Sequence, residues 1–246
     1  MKKRLATLFG LVLGVCLLCG FAHGEEGAET AAAPHRECTD ACVICGGCMD
    51  AACAEEACGE KCRLLTVDFV DVPAEAWYAE AVEYVFHRGI MTAGSETAFS
   101  PEGGVNRAMM AQILWSLAGK PAAKQTAEFA DVKEGRWYTE AVRWAAEEEY
   151  MLGYGSDRFG IGDELTREQL AVILYRYEKK QGGGFGGMWM FLLDCADRSE
   201  ISPCAYEAVC WMKMKGIMTG KGAYMAPSDM VTNAEAAAAV MRYLEL

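Results

Sequence analysis

Beyond residue 68 the apolar residues recur at three-and-four spacing in paired stretches, the pattern of helices that each bury one face. Tyr78, Val82, Val85 and Phe86 share the first such face, and Gly89 follows where a left-handed residue can end a helix. Met110, Ile113, Leu114 and Leu117 form the second. The pair then recurs as Tyr138-Val142-Ala145 and Leu170-Ile173-Leu174-Tyr177, and a last face runs through Ala236, Val240 and Tyr243. Asn106, Thr166 and Thr232 stand where the second helix of each pair would be capped. Thr166 with Gln169, and Thr232 with Glu235, also have the spacing of a reciprocal capping box. The prediction is a mainly α chain.

The helix pairs belong to a repeated unit. Phe69-Val70-Asp71-Val72, Trp77-Tyr78-Ala79-Glu80-Ala81-Val82, Gly89-Ile90-Met91-Thr92 and Val105-Asn106-Arg107-Ala108-Met109 mark its first copy. Phe129-Ala130-Asp131-Val132, Trp137 to Val142, Gly153-Tyr154-Gly155 and Leu165-Thr166-Arg167-Glu168-Gln169 mark the second and best-formed copy. Trp137 stands sixty residues after Trp77, and Arg167 sixty after Arg107. A looser third copy has Tyr206-Glu207-Ala208-Val209, Gly216-Ile217-Met218-Thr219-Gly220 and Val231-Thr232-Asn233-Ala234-Glu235. There Cys204 replaces the tryptophan and Asn233 the arginine. A two-helix unit cannot bury both its faces alone, so the three units should share one core. The boundaries read as 67–121, 125–181 and 188–246, with glycines at 182–184 and 186–187 as a flexible join. The apolar run Met188 to Leu193 is too short to span a membrane and is expected to pack on the core.

The N-terminus has a different character. Lys2, Lys3 and Arg4 precede an apolar run from Leu5 to Ala22, and Ala22-His23-Gly24 supplies small residues for cleavage after Gly24. Residues 1–24 therefore read as a signal peptide. An uncleaved anchor or a lipoprotein built on Cys19 are the alternatives, and Leu18 is too large for the usual lipoprotein site. Each places the rest of the chain outside the cytoplasm. The leader takes three of the 23 basic residues and none of the 35 acidic ones, leaving 20 against 35, a net charge of −15. Such a surface repels nucleic acid and anionic lipid, so an anionic partner must be held by a few focused arginines. No membrane span is expected once the leader is cleaved.

Seven of the twelve cysteines crowd into residues 25–66, from Cys38 to Cys62. In an exported chain the default is disulfide bonding. The rival is a metal site, because Cys42, Cys45, Cys48 and Cys53 have the close spacing that turns several thiolates towards one zinc ion or iron–sulfur cluster. The spacing departs from the ferredoxin run: four residues precede Cys53 and no proline follows it. Cys195, Cys204 and Cys210 in the third copy suggest a local disulfide. Among the histidines His35 and His87 lack a partner pattern, and no nucleophile elbow, phosphate loop or zinc-protease helix is present. The chain does not read as an enzyme.

The Phe-x-Asp-Val start, Trp-Tyr-x-Glu-Ala-Val, the Gly-Tyr-Gly turn and the Thr-Arg helix start resemble the S-layer homology domain over residues 67–246. That resemblance implies a three-pronged pseudo-threefold helical bundle. It also implies grooves that bind secondary cell-wall polysaccharide, often pyruvylated, and so anchor an exported protein to a bacterial cell wall. Carried over, it points to Arg107 and Arg167 as anion-binding residues, with nearby aromatic and glycine positions that fall on Trp77, Trp137, Gly153 and Gly155. The residue chemistry agrees. An arginine just after a helix cap sits where free backbone N–H groups also favour an anion, and a guanidinium can grip a carboxylate through two hydrogen bonds. An indole can stack on a sugar ring. Blander readings stay open: exposed arginines paired with neighbouring acids, core tryptophans, glycines that only make a turn, and Asp71 and Asp131 as loop caps. The alternative function is a surface metal-binding or redox protein that uses Cys38 to Cys62, with the repeats as its tether.

Overall fold

Each predicted cap starts a helix in the computed structural model, which describes residues 69–124, 129–155, 157–186 and 192–246. Asn106 Oδ1 accepts from Met109 N at 2.9 Å, while Thr166 and Thr232 form complete capping boxes with Gln169 and Glu235. The described residues contain six α-helices: α1 Ala79–His87, α2 Arg107–Leu117, α3 Thr139–Glu147, α4 Arg167–Lys180, α5 Tyr206–Met214 and α6 Asn233–Leu244. They contain no strand longer than an isolated bridge. The predicted faces are the buried ones: Val82, Val85, Leu114, Val142, Leu174 and Val240 are each at most 1% exposed. Burying each side chain of this size contributes about 1.5–3 kcal/mol. The expected signal peptide and the cysteine-rich segment lie outside the described residues, as does most of the Met188–Leu193 run. Of that run, Leu193 is buried in the core and Leu192 is exposed.

The most extensive helix packing joins one repeat to another. α2 packs on α3 and α4 on α5, so the second helix of one repeat meets the first helix of the next. α1 packs on α6, so the third repeat closes back onto the first. The same order appears in the backbone just before the caps. Val105 N donates to Val231 O at 2.9 Å, Leu165 N to Val105 O at 2.9 Å, and Val231 N to Leu165 O at 2.8 Å. Val105, Leu165 and Val231 are wholly buried. Three short segments thus satisfy one another's buried amides in a closed ring, which a single repeat could not do.

At the ends of the three first helices, one side chain is at odds with its local conformation. Gly89 and Gly216 end α1 and α5 at φ 61° and 71°, and Glu149 occupies the same place after α3 at φ 57°. A side chain costs energy in this left-handed region and glycine does not. Glu149 is exposed, so nothing in packing compensates. Glu149→Gly is expected to raise stability by about 0.5–1 kcal/mol, read as a higher urea midpoint of the full chain. A lower midpoint would show that the side chain contributes more than the strain costs.

Candidate functional site

The cap ring aims the residue after each cap under the loop of the next repeat. Arg107 reaches beneath the second repeat, where Nε donates to Phe159 O at 2.9 Å and Nη2 to Leu152 O at 2.6 Å. Its guanidinium lies 4.6 Å from the ring centroids of both Tyr154 and Phe159. Arg167 reaches beneath the third repeat, with Nε on Met225 O at 2.9 Å and Nη2 on Thr219 O at 2.7 Å. Its Nη1 pairs with Glu235 at 2.8 Å. Asn233 reaches back beneath the first repeat and donates from Nδ2 to Ser100 O at 2.8 Å. Its Oδ1 is buried without a partner. The three positions are 6%, 4% and 7% exposed.

These observations correct the expectation of free arginines beside open helix N-termini. Arg107 N donates to Asp163 O at 3.0 Å and Arg167 N to Asp229 O at 2.9 Å. Ala108 N and Glu168 N donate to Ile161 O and Pro227 O. The first amides of α2 and α4 are therefore used in joining repeats and are not open to an anion. The arginines are used likewise. Burial pushes the Arg107 guanidinium below its ordinary value, opposed by the field of Tyr154 and Asp163, and no carboxylate among the described residues pairs with it directly. Both arginines act first as clamps between repeats.

Trp77 and Trp137 are not core residues. They are 63% and 59% exposed, each standing edge-on to the tyrosine that follows it at a ring separation of 5.3 Å. Trp77 lines a groove of about 300 Å³ that also contains Arg167, Thr219, Lys221, Glu235 and Arg242. This groove takes its parts from all three repeats. Trp137 lines a much smaller hollow of about 20 Å³ with Thr92, Met109 and Gln112. The residue at the base of the first-repeat loop there is the neutral Asn233. Next to α4 the homologous position is Cys204, just ahead of the Ala205 cap of α5. Arg107 and Trp77 therefore share a repeat but not a groove. Among the described residues, only the Arg167 groove combines an arginine after the cap with a tryptophan.

The two glycines predicted beside the ligand answer to the backbone. A Cβ at Gly153 would lie 2.7 Å from the Phe129 ring and 2.8 Å from Arg158 O, so the loop closes tightly only over glycine. Gly155 turns the chain at φ 81°, and its O accepts from Arg158 N. Both shape the loop over Arg107.

Asp71, Asp131 and Asp197 hold those loops shut. Asp131 accepts from Phe159 N, Gly160 N and Ile161 N. Asp71 accepts from Phe99 N and Ser100 N, and Asp197 from Met225 N and Ala226 N. The loop-cap reading of Asp71 and Asp131 is the one the geometry carries. Burial pushes the Asp131 carboxyl up, but the three amide hydrogen bonds outweigh it and hold the group below the usual carboxylate range. A depressed folded-state pKa contributes stability that is complete above the unfolded value, near pH 4, and is lost as the pH falls through the folded value. Asp131→Asn is expected to cost about 1 kcal/mol at pH 7 and progressively less below pH 4, read by denaturation at several pH values. A cost independent of pH would show that charge is not what holds the loop.

Cys195, Cys204 and Cys210 are unbonded, which corrects the expected local disulfide. Cys210 is buried on α5, whereas Cys204 lies exposed before that helix begins. Burial, reinforced by Asp197, pushes the Cys195 thiol up, and burial pushes Cys210 up as well, so neither is a ready thiolate. No group of three or more metal-ligating side chains occurs among the described residues, and no helix among them is long and apolar enough to cross a membrane. The Cys42, Cys45, Cys48 and Cys53 set lies outside them.

Comparison with known proteins gives the same threefold division. The family model of the S-layer homology domain matches residues 68–111, 128–171 and 196–237. Exoglucanase XynX of Acetivibrio thermocellus is 28% identical over 73% of this chain and 16% of its own length. S-layer protein sap of Bacillus anthracis is 27% identical over 69% of this chain and 20% of its own. A cellulosome-anchoring protein of Acetivibrio thermocellus is 30% identical over 34% of this chain and 20% of its own. The chain thus spans a fifth or less of the length of these curated relatives.

Proposed function

The chain belongs to the S-layer homology domain family of bacterial cell-surface proteins, and from that premise we propose that its three repeats anchor it non-covalently to the cell wall. The ligand in this reading is secondary cell-wall polysaccharide, pyruvylated, held in grooves of a pseudo-threefold bundle whose loops form the prongs. The ring of hydrogen bonds at Val105, Leu165 and Val231, with the cyclic pairing of helices, supports that architecture. The observation that carries the ligand is the groove of about 300 Å³, where the exposed indole of Trp77 stands by the cations Arg167, Lys221 and Arg242 in a chain of net charge −12. A flat apolar ring beside clustered guanidinium and ammonium groups suits an acidic saccharide.

Some relatives are named as enzymes and others as S-layer or anchoring proteins, and what they share with this chain is the short matching region. The repeats themselves are a non-catalytic anchoring unit. Sedimentation with purified bacterial cell walls tests the proposal. The chain should bind walls that retain their secondary polysaccharide and fail to bind walls from which it has been extracted. Equal binding to both preparations would remove the polysaccharide from the reading.

A further inference from the structure

The last turn of α6 carries a cation that the cap motif does not reveal. Arg242 lies nine residues after Asn233, as Arg176 lies nine after Arg167, and the first repeat has Ser116 at that place. Arg242 lines the Trp77 groove, is half-buried, and makes one long hydrogen bond, from Nη1 to Ile217 O at 3.4 Å. No carboxylate among the described residues forms an ion pair with it, although Glu235 lines the same groove. The neighbouring cations are differently placed. Arg167 is paired with Glu235 at 2.8 Å and holds two loop carbonyls. Lys221 is divided between Asp229 at 2.8 Å and Glu235 at 3.5 Å. An anion that enters the groove would have to displace a carboxylate from either of these, but not from Arg242.

Resting on the wall-polysaccharide reading, we propose that Arg242 is the residue that binds the anionic group of the ligand in this groove. Arg167 and Glu235 then form a neutralised floor, and Trp77 offers the sugar its platform. The planar guanidinium can meet a carboxylate or a phosphate with two parallel hydrogen bonds, and its weak existing bond leaves it free to turn towards one. The homologous positions lack one half of this pairing. Arg176 has the charge, but Cys204 replaces the tryptophan at the start of the adjacent helix, and on α2, which lines the Trp137 hollow, the position nine residues on is the uncharged Ser116. The anion preference of the protein therefore comes from one groove.

Titration of the full chain with three methyl hexosides tests this: one bearing a 4,6-pyruvyl ketal, one a 6-phosphate and one no charge. The wild-type chain should prefer a charged probe, and the better of the two identifies which anion the groove takes. Arg242→Gln should lose that preference by about tenfold or more while its affinity for the uncharged probe and its melting temperature stay unchanged, and Arg242→Lys should restore part of it. Arg176→Gln should leave the preference intact. Retention of the charged-probe preference in Arg242→Gln, or an equal loss in Arg176→Gln, would overturn the assignment. So would a wild-type chain with no preference for charge; if that chain still sedimented with polysaccharide-bearing walls, the anchoring reading would survive without Arg242.

Discussion

Arg167→Ala is expected to destabilise the protein by about 3–5 kcal/mol, because it removes a buried cation that pairs with the partly buried Glu235 and donates to two loop carbonyls. Glu235 would lose its 2.8 Å contact, and the carbonyls of Thr219 and Met225 would lose their donors. Arg107→Ala should cost less, about 2–3 kcal/mol, since it orphans the carbonyls of Leu152 and Phe159 but no carboxylate. Urea denaturation of the full-length variants checks both. A shift in Arg167→Ala below about 1 kcal/mol would mean that the guanidinium is replaceable by water and does not clamp the repeats. The consequence for function is direct. Loss of wall binding in either variant would report a loosened junction as much as a lost ligand contact, so these arginines are poor probes of the site.

Trp77→Ala is the sharper probe, and it should weaken wall binding by about thirtyfold, roughly 2 kcal/mol, the cost typical of truncating an aromatic anchor. Its effect on stability should stay within about 0.5 kcal/mol, because the side chain is 63% exposed. Trp137→Ala should do much less to binding, since that tryptophan faces a shallow hollow whose cap position is the neutral Asn233. Binding isotherms on polysaccharide-bearing walls separate the two. An equal loss in both variants would show that the grooves are used alike and that the ranking by charge is wrong.

Much of the fold was legible in residues that act on their near neighbours. The caps at Asn106, Thr166 and Thr232 bond to amides three residues away, so spacing alone identifies them. The buried faces repeat every three or four residues, and the period of sixty between Trp77 and Trp137 reveals the repeat. For the candidate site, the motif singled out both tryptophans, and whether they lie in the core or on the surface was left to the structure, which exposes them. Arg176 and Arg242 could have been found by the same arithmetic, since each lies nine residues after its cap-following position.

Which residues meet was not legible. Read along the chain, Arg107 belongs with Trp77 and Arg167 with Trp137, because each pair lies in one repeat. Because the helices pair between repeats and the third closes on the first, Arg167 instead shares a groove with Trp77, ninety residues earlier, and Arg107 lies on the side where Cys204 replaces the indole. Sequence by itself determined the helices, their caps, the threefold repetition and the family, since all of these rest on local hydrogen bonds and on periodic burial. Tertiary structure alone decided that the cap arginines are buried clamps and that, among the described residues, one groove brings an exposed tryptophan together with a cation that has no ion-pair partner. The physical reason is ring closure: a side chain's partners there are set by carbonyls and carboxylates in the neighbouring repeat, at separations no local pattern encodes.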